Sequence, residues 1–318
     1  IMSKTVLCRL PNHVGDCMMT LPALQLLADS GFTPSLIGKR FAEDLMAGMG
    51  WRYDPIEGQV LKDLGRVKEI ARSTGDSPRG VLFPNSFGSA LLFKLGGIRS
   101  AGYPTDGRGF LLDARLAEPG VTHEVNRFFT VAREAIIAWG GTPARDKPTP
   151  QLGLKLLARH RAGARNILRD NHITEDQKFV LLAPVARGLH KGQKKSWDHF
   201  DSLAKYIEEL GYLPLALPSP HEVEEVRVSC PSARILEPTT LGTYAALCER
   251  ASLVIANDSG ISHVAAGIGA RQITLIGVTD PTRTGPWNPA AVTLGSEGHW
   301  PTEEEVKNTV HRILTTEA

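Results

Sequence analysis

Residues 257–266 combine anion-binding side chains with the predicted start of a helix. They follow a short apolar run and read Asn-Asp-Ser-Gly-Ile-Ser-His-Val-Ala-Ala. The first turn of a helix has free N–H groups and a positive dipole end, which together bind phosphate groups. Asp258 and Ser259 would also serve as ordinary helix caps, and a single histidine such as His263 is usually packed or solvated. Because these residues share one junction, where Gly260 lets the backbone approach a ligand, the segment favours a phosphate site.

Residues 184–198 contain five basic or potentially basic side chains ahead of another predicted helix. Lysines beside a helix N-terminus add positive charge to the free N–H groups there and make a stronger anion site. The lysines are Lys191, Lys194 and Lys195, and a solvated basic loop is the alternative interpretation. The segment lacks the pattern G-x-x-x-x-G-K-[ST], so the sequence does not favour a P-loop nucleotidase.

Two other loops carry carboxylates directly after predicted strands. Residues 10–16 end in Gly15-Asp16, where Asp16 would be either a helix cap or a general base. His13 in the same loop is a second candidate base, although a loop histidine is usually solvated. Thr279 and Asp280 follow another strand and would either line the same site or build the turn.

Short apolar runs alternate with helical patterns along the whole chain, which predicts parallel sheets with helices on both faces. Residues 140–153 interrupt the alternation with three prolines and three glycines, which is typical of a segment approaching a linker. The predicted fold is therefore α/β, with two doubly wound, Rossmann-like domains over residues 1–153 and 154–300. Residues 301–318 form a terminal helix, which could pack back on the first domain. Ligands of such sheets bind at the carboxyl ends of the strands, so we expect a central cleft between the domains.

The composition narrows the class of protein without identifying it. The 318 residues include 36 Lys and Arg against 34 Asp and Glu, a net charge of +2, which is too balanced for a protein that coats nucleic acid. The four cysteines show no metal-binding spacing, and no apolar run reaches the length of a membrane span. We therefore expect a cytoplasmic protein without a signal peptide or a metal site, and free thiols in a reducing compartment.

The ordered motifs resemble glycosyltransferase family 9, the ADP-heptose:lipopolysaccharide heptosyltransferases. The segment 257–266 with Gly-Val-Thr-Asp-Pro at 277–281 is the most specific match, and residues 83–90 resemble the heptosyltransferase II branch in particular. Val278 departs from the family pattern, which usually has proline there. The matching segments cover nearly the whole chain: residues 11–22 (Pro-Asn-His-Val-Gly-Asp-Cys-Met-Met-Thr-Leu-Pro), 83–90 (Phe-Pro-Asn-Ser-Phe-Gly-Ser-Ala), 195–197 (Lys-Ser-Trp), 257–266 and 277–281.

The resemblance implies a GT-B fold and an inverting, metal-independent transfer of heptose from ADP-heptose to a sugar hydroxyl of the lipopolysaccharide inner core. It implies an acceptor site in the first domain and a donor site in the second. Asp16 would be the general base, and Lys195 would contact the donor phosphates, with Lys191 or Lys194 sharing or replacing that role. The other implied donor-site residues are Glu222 at the ribose, and Asp258, Ser259, Gly260, His263, Thr279 and Asp280.

The acceptor is expected to be an anionic core oligosaccharide or glycolipid. Arginine binds carboxylates and phosphates with two parallel hydrogen bonds, and Arg108 lies in a glycine-rich segment. We therefore predict an acceptor site formed by His13, Asn85, Ser86 and Arg108. Ordinary surface charge is the alternative for any single arginine.

The family also implies no bound cofactor, no nucleic-acid partner and a monomer, with peripheral association with the inner membrane of a Gram-negative bacterium. Two other functions remain open on sequence grounds. One is a related transferase that uses another nucleotide sugar on a small soluble acceptor. The other is a non-catalytic nucleotide-sugar-binding or dinucleotide-binding protein, although no G-x-G-x-x-G follows a predicted strand.

Overall fold

The computed structural model describes residues 4–186 and 189–316. Contacts within the chain divide it into two compact units, Ile1–Lys155 and Leu156–Ala318, so the boundary lies close to the predicted one after residue 153. Arg187 and Gly188, which belong to the predicted basic loop, lie outside the described residues.

The first unit is built on a parallel sheet of six strands in the order β3-β2-β1-β4-β5-β6. The chain winds outward from β1 in one direction and from β4 in the other, so the switch point lies between these two strands. The strands are β1 (Thr5–Arg9), β2 (Thr33–Lys39), β3 (Arg52–Ile56), β4 (Arg79–Leu82), β5 (Arg99–Gly102) and β6 (Ala114–Arg115).

Helices cover this sheet, and most were predicted. Ser86 precedes an apolar helical pattern at residues 87–95, which predicts a helix there, and the structure has that helix, with the Ser86 side chain accepting the backbone N–H of Ser89. Two elements were not predicted from the sequence: the strand β3, which contains Pro55, and the highly charged helix that follows it. The helices are α1 (Val14–Met19), α2 (Leu21–Asp29), α3 (Phe41–Met46), α4 (Val60–Thr74), α5 (Phe87–Leu95) and α6 (Glu124–Ala138).

The second unit repeats the same winding with the strand order β11-β10-β7-β12-β13-β14. Its switch point lies between β7 and β12. A separate antiparallel hairpin, β8–β9, precedes the first long helix of the unit. The strands are β7 (Phe179–Ala183), β8 (Leu189–His190), β9 (Gln193–Lys194), β10 (Leu213–Ala216), β11 (Arg234–Ile235), β12 (Leu253–Asn257), β13 (Gln272–Ile276) and β14 (Ala291–Gly295).

The helices of the second unit correct one predicted cap. Asp198 precedes a helical pattern in the sequence, which predicts that it caps a helix. The helix starts at Phe200 with His199 before it, and Asp198 instead lies 3.5 Å from the ammonium of Lys194. Thr302 and Glu305 match the spacing of a capping box in the sequence, and the Thr302 side chain accepts the N–H of Glu305. The helices are α7 (Ala158–Asp170), α8 (Phe200–Glu209), α9 (Val223–Ser229), α10 (Leu241–Arg250), α11 (Gly260–Gly267), α12 (Pro281–Thr284) and α13 (Glu303–Thr315).

The central strands are buried on both faces, which is the usual state of a parallel sheet covered by helices. The terminal helix α13 also belongs to the second unit's core. Its apolar face (Val306, Val310, Leu314) packs in the same cluster as Phe200 and Leu253, whereas the sequence had left open packing on the first domain. No helix among residues 4–186 and 189–316 is long and apolar enough to cross a membrane.

Candidate functional site

Asn257 connects the two loops that flank the switch point of the second unit. It is the last residue of β12 and has no exposed surface. Its side-chain oxygen accepts the backbone N–H of Trp197 at 2.9 Å, and its amide nitrogen donates to the Pro184 carbonyl at 3.2 Å. The Trp197 indole N–H in turn donates to the Pro301 carbonyl at 3.0 Å. The sequence analysis gave Asn257 no role, because only the sheet order brings β7 beside β12.

The start of α11 lies at the same edge of the sheet, and the hydroxyl of the residue before it does not cap the helix. Ser259 occupies the residue before the helix in an extended conformation, and its side chain accepts no hydrogen bond from the helix. Its hydroxyl oxygen is buried and has no partner among the residues that the structure describes. A helix start whose cap does not bind its N–H groups leaves those groups free for an anion.

Asp258, His263 and Thr279 lie together beside this helix start. The Thr279 hydroxyl donates a short hydrogen bond to one carboxylate oxygen of Asp258, and the His263 Nε2 atom lies 4.0 Å from the other. The side chains of His263 and Asp258 are only 5% and 11% exposed. Three predicted donor-site residues therefore form one cluster.

Asp280 is not part of that cluster. The Asp280 carboxylate accepts the backbone N–H of Thr282 at 3.0 Å and the Thr282 hydroxyl at 2.7 Å. Asp280 therefore caps the short helix α12. These hydrogen bonds lower the pKa of the exposed Asp280 carboxyl group. In the structure Asp280 therefore builds the turn, which was the alternative interpretation.

The three lysines of the basic loop differ in their charge partners. Lys191 lies at the tip of the β8–β9 hairpin with a left-handed backbone (φ 51°), and its ammonium lies 2.9 Å from the Glu297 carboxylate. That contact raises the pKa of Lys191. Lys194 lies 3.5 Å from Asp198, as described above. Lys195 is half-buried, and among the described residues it has no carboxylate partner. Of these three lysines, Lys195 is therefore the one whose charge has no carboxylate beside it within residues 4–186 and 189–316.

A small, mostly apolar cavity opens at the carboxyl ends of β7 and β10. Glu222 lines it at the end of a short 3₁₀ helix, Pro220–Glu222, and supplies its one charged side chain. The rest of the lining includes Tyr244, Ile261, Pro218 and Val226. The cavity therefore places a carboxylate beside apolar side chains at this edge of the sheet.

Asp16 lies in the first turn of α1, at the switch point of the first unit. The residue before that helix is His13, so Asp16 is not the helix cap that was the alternative interpretation. The Asp16 side chain is 38% exposed and lies 3.9 Å from the largely exposed imidazole of His13. Partial burial raises the pKa of Asp16, although His13 opposes the shift. A raised pKa makes the ionised carboxylate a better proton acceptor.

The loop after β4 carries Asn85 and Ser86 at the same edge of the sheet. Both residues are exposed, and the Ser86 side chain also caps α5. Arg108 differs from the expectation of direct acceptor contact, because it has no exposed surface. Its guanidinium instead donates to the carbonyls of Pro84 and Tyr103 at 2.7 and 2.8 Å. Among residues 4–186 and 189–316, no three His, Cys, Asp or Glu side chains are close enough to hold a metal ion.

Comparisons with known proteins give one consistent result. The model of glycosyltransferase family 9 (heptosyltransferase) matches residues 76–313. Lipooligosaccharide heptosyltransferase 2 of Haemophilus influenzae is 24% identical over 89% of this chain and 86% of its own length. Lipopolysaccharide heptosyltransferase 2 of Salmonella typhimurium is 26% identical over 87% of this chain and 83% of its own.

The fold is likewise that of solved heptosyltransferases. The structure of the E. coli ADP-heptose heptosyltransferase II superposes with a TM-score of 0.77 and 20% identity over 99% of both chains. This agreement confirms the predicted fold class. Since the family model covers most of the chain, this protein is a glycosyltransferase and belongs to glycosyltransferase family 9, the heptosyltransferase family.

Proposed function

We propose that this enzyme transfers heptose from ADP-heptose to a sugar hydroxyl of the lipopolysaccharide inner core, with inversion at the anomeric carbon. The related proteins from Haemophilus and Salmonella are named lipooligosaccharide and lipopolysaccharide heptosyltransferase 2. The name of the similar E. coli enzyme includes ADP-heptose. The observation that carries the proposal is the open start of α11, with the unbonded Ser259 hydroxyl and the unmatched charge of Lys195 in the same unit.

The donor diphosphate would bind at that helix start. Negative charge on the leaving ADP grows as its bond to the anomeric carbon breaks, so fixed N–H groups and Lys195 stabilise the transition state more than the bound substrate. The backbone of Gly260 allows the phosphate to approach closely. The cluster of Asp258, His263 and Thr279 would then face the phosphate and the heptose.

The nucleoside would bind at the mouth of the small cavity at the ends of β7 and β10. The adenine ring would pack on apolar side chains such as Ile261 and Tyr244, and Glu222 would accept hydrogen bonds from the ribose hydroxyls. The Glu222 carboxylate is half-buried, and a carboxylate accepts strong hydrogen bonds from a pair of hydroxyl groups. Glu222 is therefore proposed as the ribose ligand.

The acceptor would bind to the first unit, with Asp16 as the general base. Asp16 takes the proton of the acceptor hydroxyl as that oxygen forms its bond to the anomeric carbon. The bond from that carbon to the phosphate oxygen breaks at the same time, and ADP leaves as an anion. His13, Asn85 and Ser86 would line the acceptor site, while Arg108 acts only through the loop it holds.

The negative charge of the donor diphosphate needs positive charge from the protein or from a metal ion. Because lysine and helix N–H groups can neutralise the diphosphate, we expect transfer to proceed without a divalent metal, which a chelator titration would test. We place the reaction in the cytoplasm, on an anionic acceptor attached to the inner membrane, with the enzyme as a monomer.

Isothermal titration with ADP tests the phosphate site. Lys195→Ala is expected to weaken ADP binding by about tenfold or more, because a hydrogen bond to a charged group contributes about 1.5–3 kcal/mol. Lys191→Ala and Lys194→Ala are matched controls, since these exposed lysines already face Glu297 and Asp198. If Lys191→Ala or Lys194→Ala alone weakens ADP binding, the assignment of Lys195 is wrong.

Mass spectrometry of reaction products tests the donor sugar. The enzyme is expected to turn over ADP-heptose and not UDP- or GDP-sugars. Turnover of another donor on a small soluble acceptor would replace the proposed function, and binding without turnover would indicate a non-catalytic protein.

A further inference from the structure

The loop that carries Asn85 is held from one side by the turn at residues 105–108. The Thr105 hydroxyl donates to the Asn85 carbonyl at 2.7 Å, and the Asp106 carboxylate accepts the N–H of Phe87 at 2.8 Å. The Arg108 guanidinium donates to the carbonyls of Pro84 at 2.7 Å and of residue 86 at 3.1 Å. Three side chains of one turn therefore fix the backbone of four consecutive residues.

Arg108 is an unusual residue to bury for stability alone. It has no exposed surface, and one of its terminal nitrogens, Nη2, has no partner among the described residues. Burial of the group lowers the pKa of Arg108 to about 10, so it remains charged at neutral pH. Among the described residues, the other guanidinium nitrogens donate only to neutral oxygens, those of Tyr103, Pro84, Ser86 and Ser89. Burying a charge without a carboxylate is costly, so a purely apolar anchor would hold the fold better.

The turn itself has a fixed conformation. Asp106 and Gly107 both have left-handed backbones, with φ of 53° and 68°. Consecutive left-handed residues form a tight turn, which sets the direction of the side chains on either side. The planar guanidinium fork of Arg108 then reaches several carbonyls at fixed angles, which a lysine ammonium cannot do.

The loop held in this way lies beside the predicted catalytic base. Leu82 pairs with Arg9 in the sheet, so the segments that follow β4 and β1 leave the same edge side by side. One of these segments carries Asn85 and the other leads into Asp16. The Asn85 side chain is exposed and has no hydrogen-bond partner among the described residues, so its position depends on its backbone.

We propose that Arg108 is a positioning residue for the acceptor: with Thr105 and Asp106 it fixes the Pro84–Phe87 backbone, so that Asn85 meets the acceptor hydroxyls beside Asp16. The inference rests on the proposed function, since it assumes that the acceptor binds at this edge. It assigns Arg108 a role through the loop and not through direct contact with the substrate.

Steady-state kinetics of two variants test the proposal. Arg108→Lys keeps the positive charge but removes the planar guanidinium that holds several carbonyls at once. The resulting displacement of the loop, by about 1 Å, is expected to raise the acceptor KM by about tenfold or more. Gly102→Ala keeps every donor of Arg108, but the added methyl would lie 3.0 Å from its Nη2 atom and displace the guanidinium. Both variants should leave the donor KM unchanged. Arg99→Lys is the matched control, because Arg99 is exposed and donates to a single carbonyl, that of Ser77.

A double variant separates positioning from general loss of stability. If Arg108 acts through Asn85, Arg108→Lys should have little further effect on the acceptor KM in an Asn85→Ala background. Equal changes in acceptor and donor KM, or additive effects of the two substitutions, would overturn the positioning role.

Hydrogen exchange provides a readout that does not need activity. The Phe87 amide is expected to exchange faster in Arg108→Lys than in the parent protein, with no change in helix α13 of the second unit. Unchanged exchange at residues 84–89 overturns the proposal whatever the donor proves to be. If the parent protein does not turn over ADP-heptose but exchange is faster in the variant, the proposed function is overturned. The role of Arg108 in fixing the Pro84–Phe87 backbone is then still supported.

Discussion

Replacing Asp16 with asparagine should separate catalysis from stability. Asparagine has the same shape, and the Asp16 carboxylate accepts no hydrogen bond from a described residue, so the substitution removes a negative charge and little else. A positioned general base contributes about 10²–10⁴-fold to a rate. At 1.36 kcal/mol for each factor of ten, this loss raises the barrier by about 3–5 kcal/mol.

The same change should make the protein slightly more stable at neutral pH. Burial raises the pKa of Asp16 above its ordinary value of 3.8, so the folded state prefers the protonated form. The stability due to this preference is fully present below the unfolded pKa and is lost as the pH rises through the folded pKa. An uncharged amide avoids that loss, so the melting temperature of Asp16→Asn should equal or exceed that of the parent protein.

Single-turnover release of ADP at saturating acceptor, together with thermal melting, measures both effects. In the parent protein the rate should fall as the pH is lowered through the raised pKa of Asp16, because protonation removes the base, and the residual rate of Asp16→Asn should lack this dependence. The affinity for ADP should not change, since Asp16 belongs to the first unit and the proposed phosphate site to the second. Near-normal turnover, or a marked loss of stability, would refute the reasoning. His13→Ala is the control for the neighbouring imidazole.

Three glycine substitutions test the close contacts of the second unit against an open position. A methyl group at Gly242 would overlap the buried ring of His160, and overpacking of this kind should cost about 1–3 kcal/mol in the free energy of unfolding. A methyl group at Gly277 would overlap the Trp300 indole, so Gly277→Ala should lower stability similarly and also weaken ADP binding, because that loop leads into the donor-site cluster. By contrast, Gly65→Ala adds a methyl to open space on a helix and should raise stability by about 0.5–1 kcal/mol. Urea unfolding measures all three, and a stable Gly277→Ala protein with normal ADP affinity would contradict the role given to that contact.

The role of Gly277 shows where interpretation from sequence failed. A glycine in a loop after a strand, such as Gly277, predicts backbone that closely approaches a ligand such as a diphosphate. In the structure the space beside Gly277 is filled by Trp300, which lies more than twenty residues later in the chain. Local patterns identify a position where a side chain does not fit, but they cannot tell whether a ligand or a distant residue occupies the space.

The expected contact between Arg108 and the acceptor was wrong for a related reason. A glycine-rich segment predicts an exposed loop, and an arginine in such a loop predicts a ligand contact. The backbone does turn tightly at Asp106 and Gly107, as the composition indicated. The direction of the Arg108 side chain, however, depends on carbonyl groups of Pro84 and Ser86, more than twenty residues away in sequence.

The sequence by itself determined the two doubly wound sheets, most of their helices and the family, because hydrophobic periodicity, caps and ordered motifs are local properties of the chain. It also located the strand–helix junctions that carry Asp16, Asp258 and His263, since those junctions follow strands directly. Only the tertiary structure decided which charges remain unmatched. Glu297 lies beside Lys191 and Asp198 beside Lys194, whereas Lys195 has no carboxylate partner among the described residues. Asn257 joins the loops after β7 and β12. These outcomes depend on strand order and long-range pairing, which bring together residues that no local pattern connects.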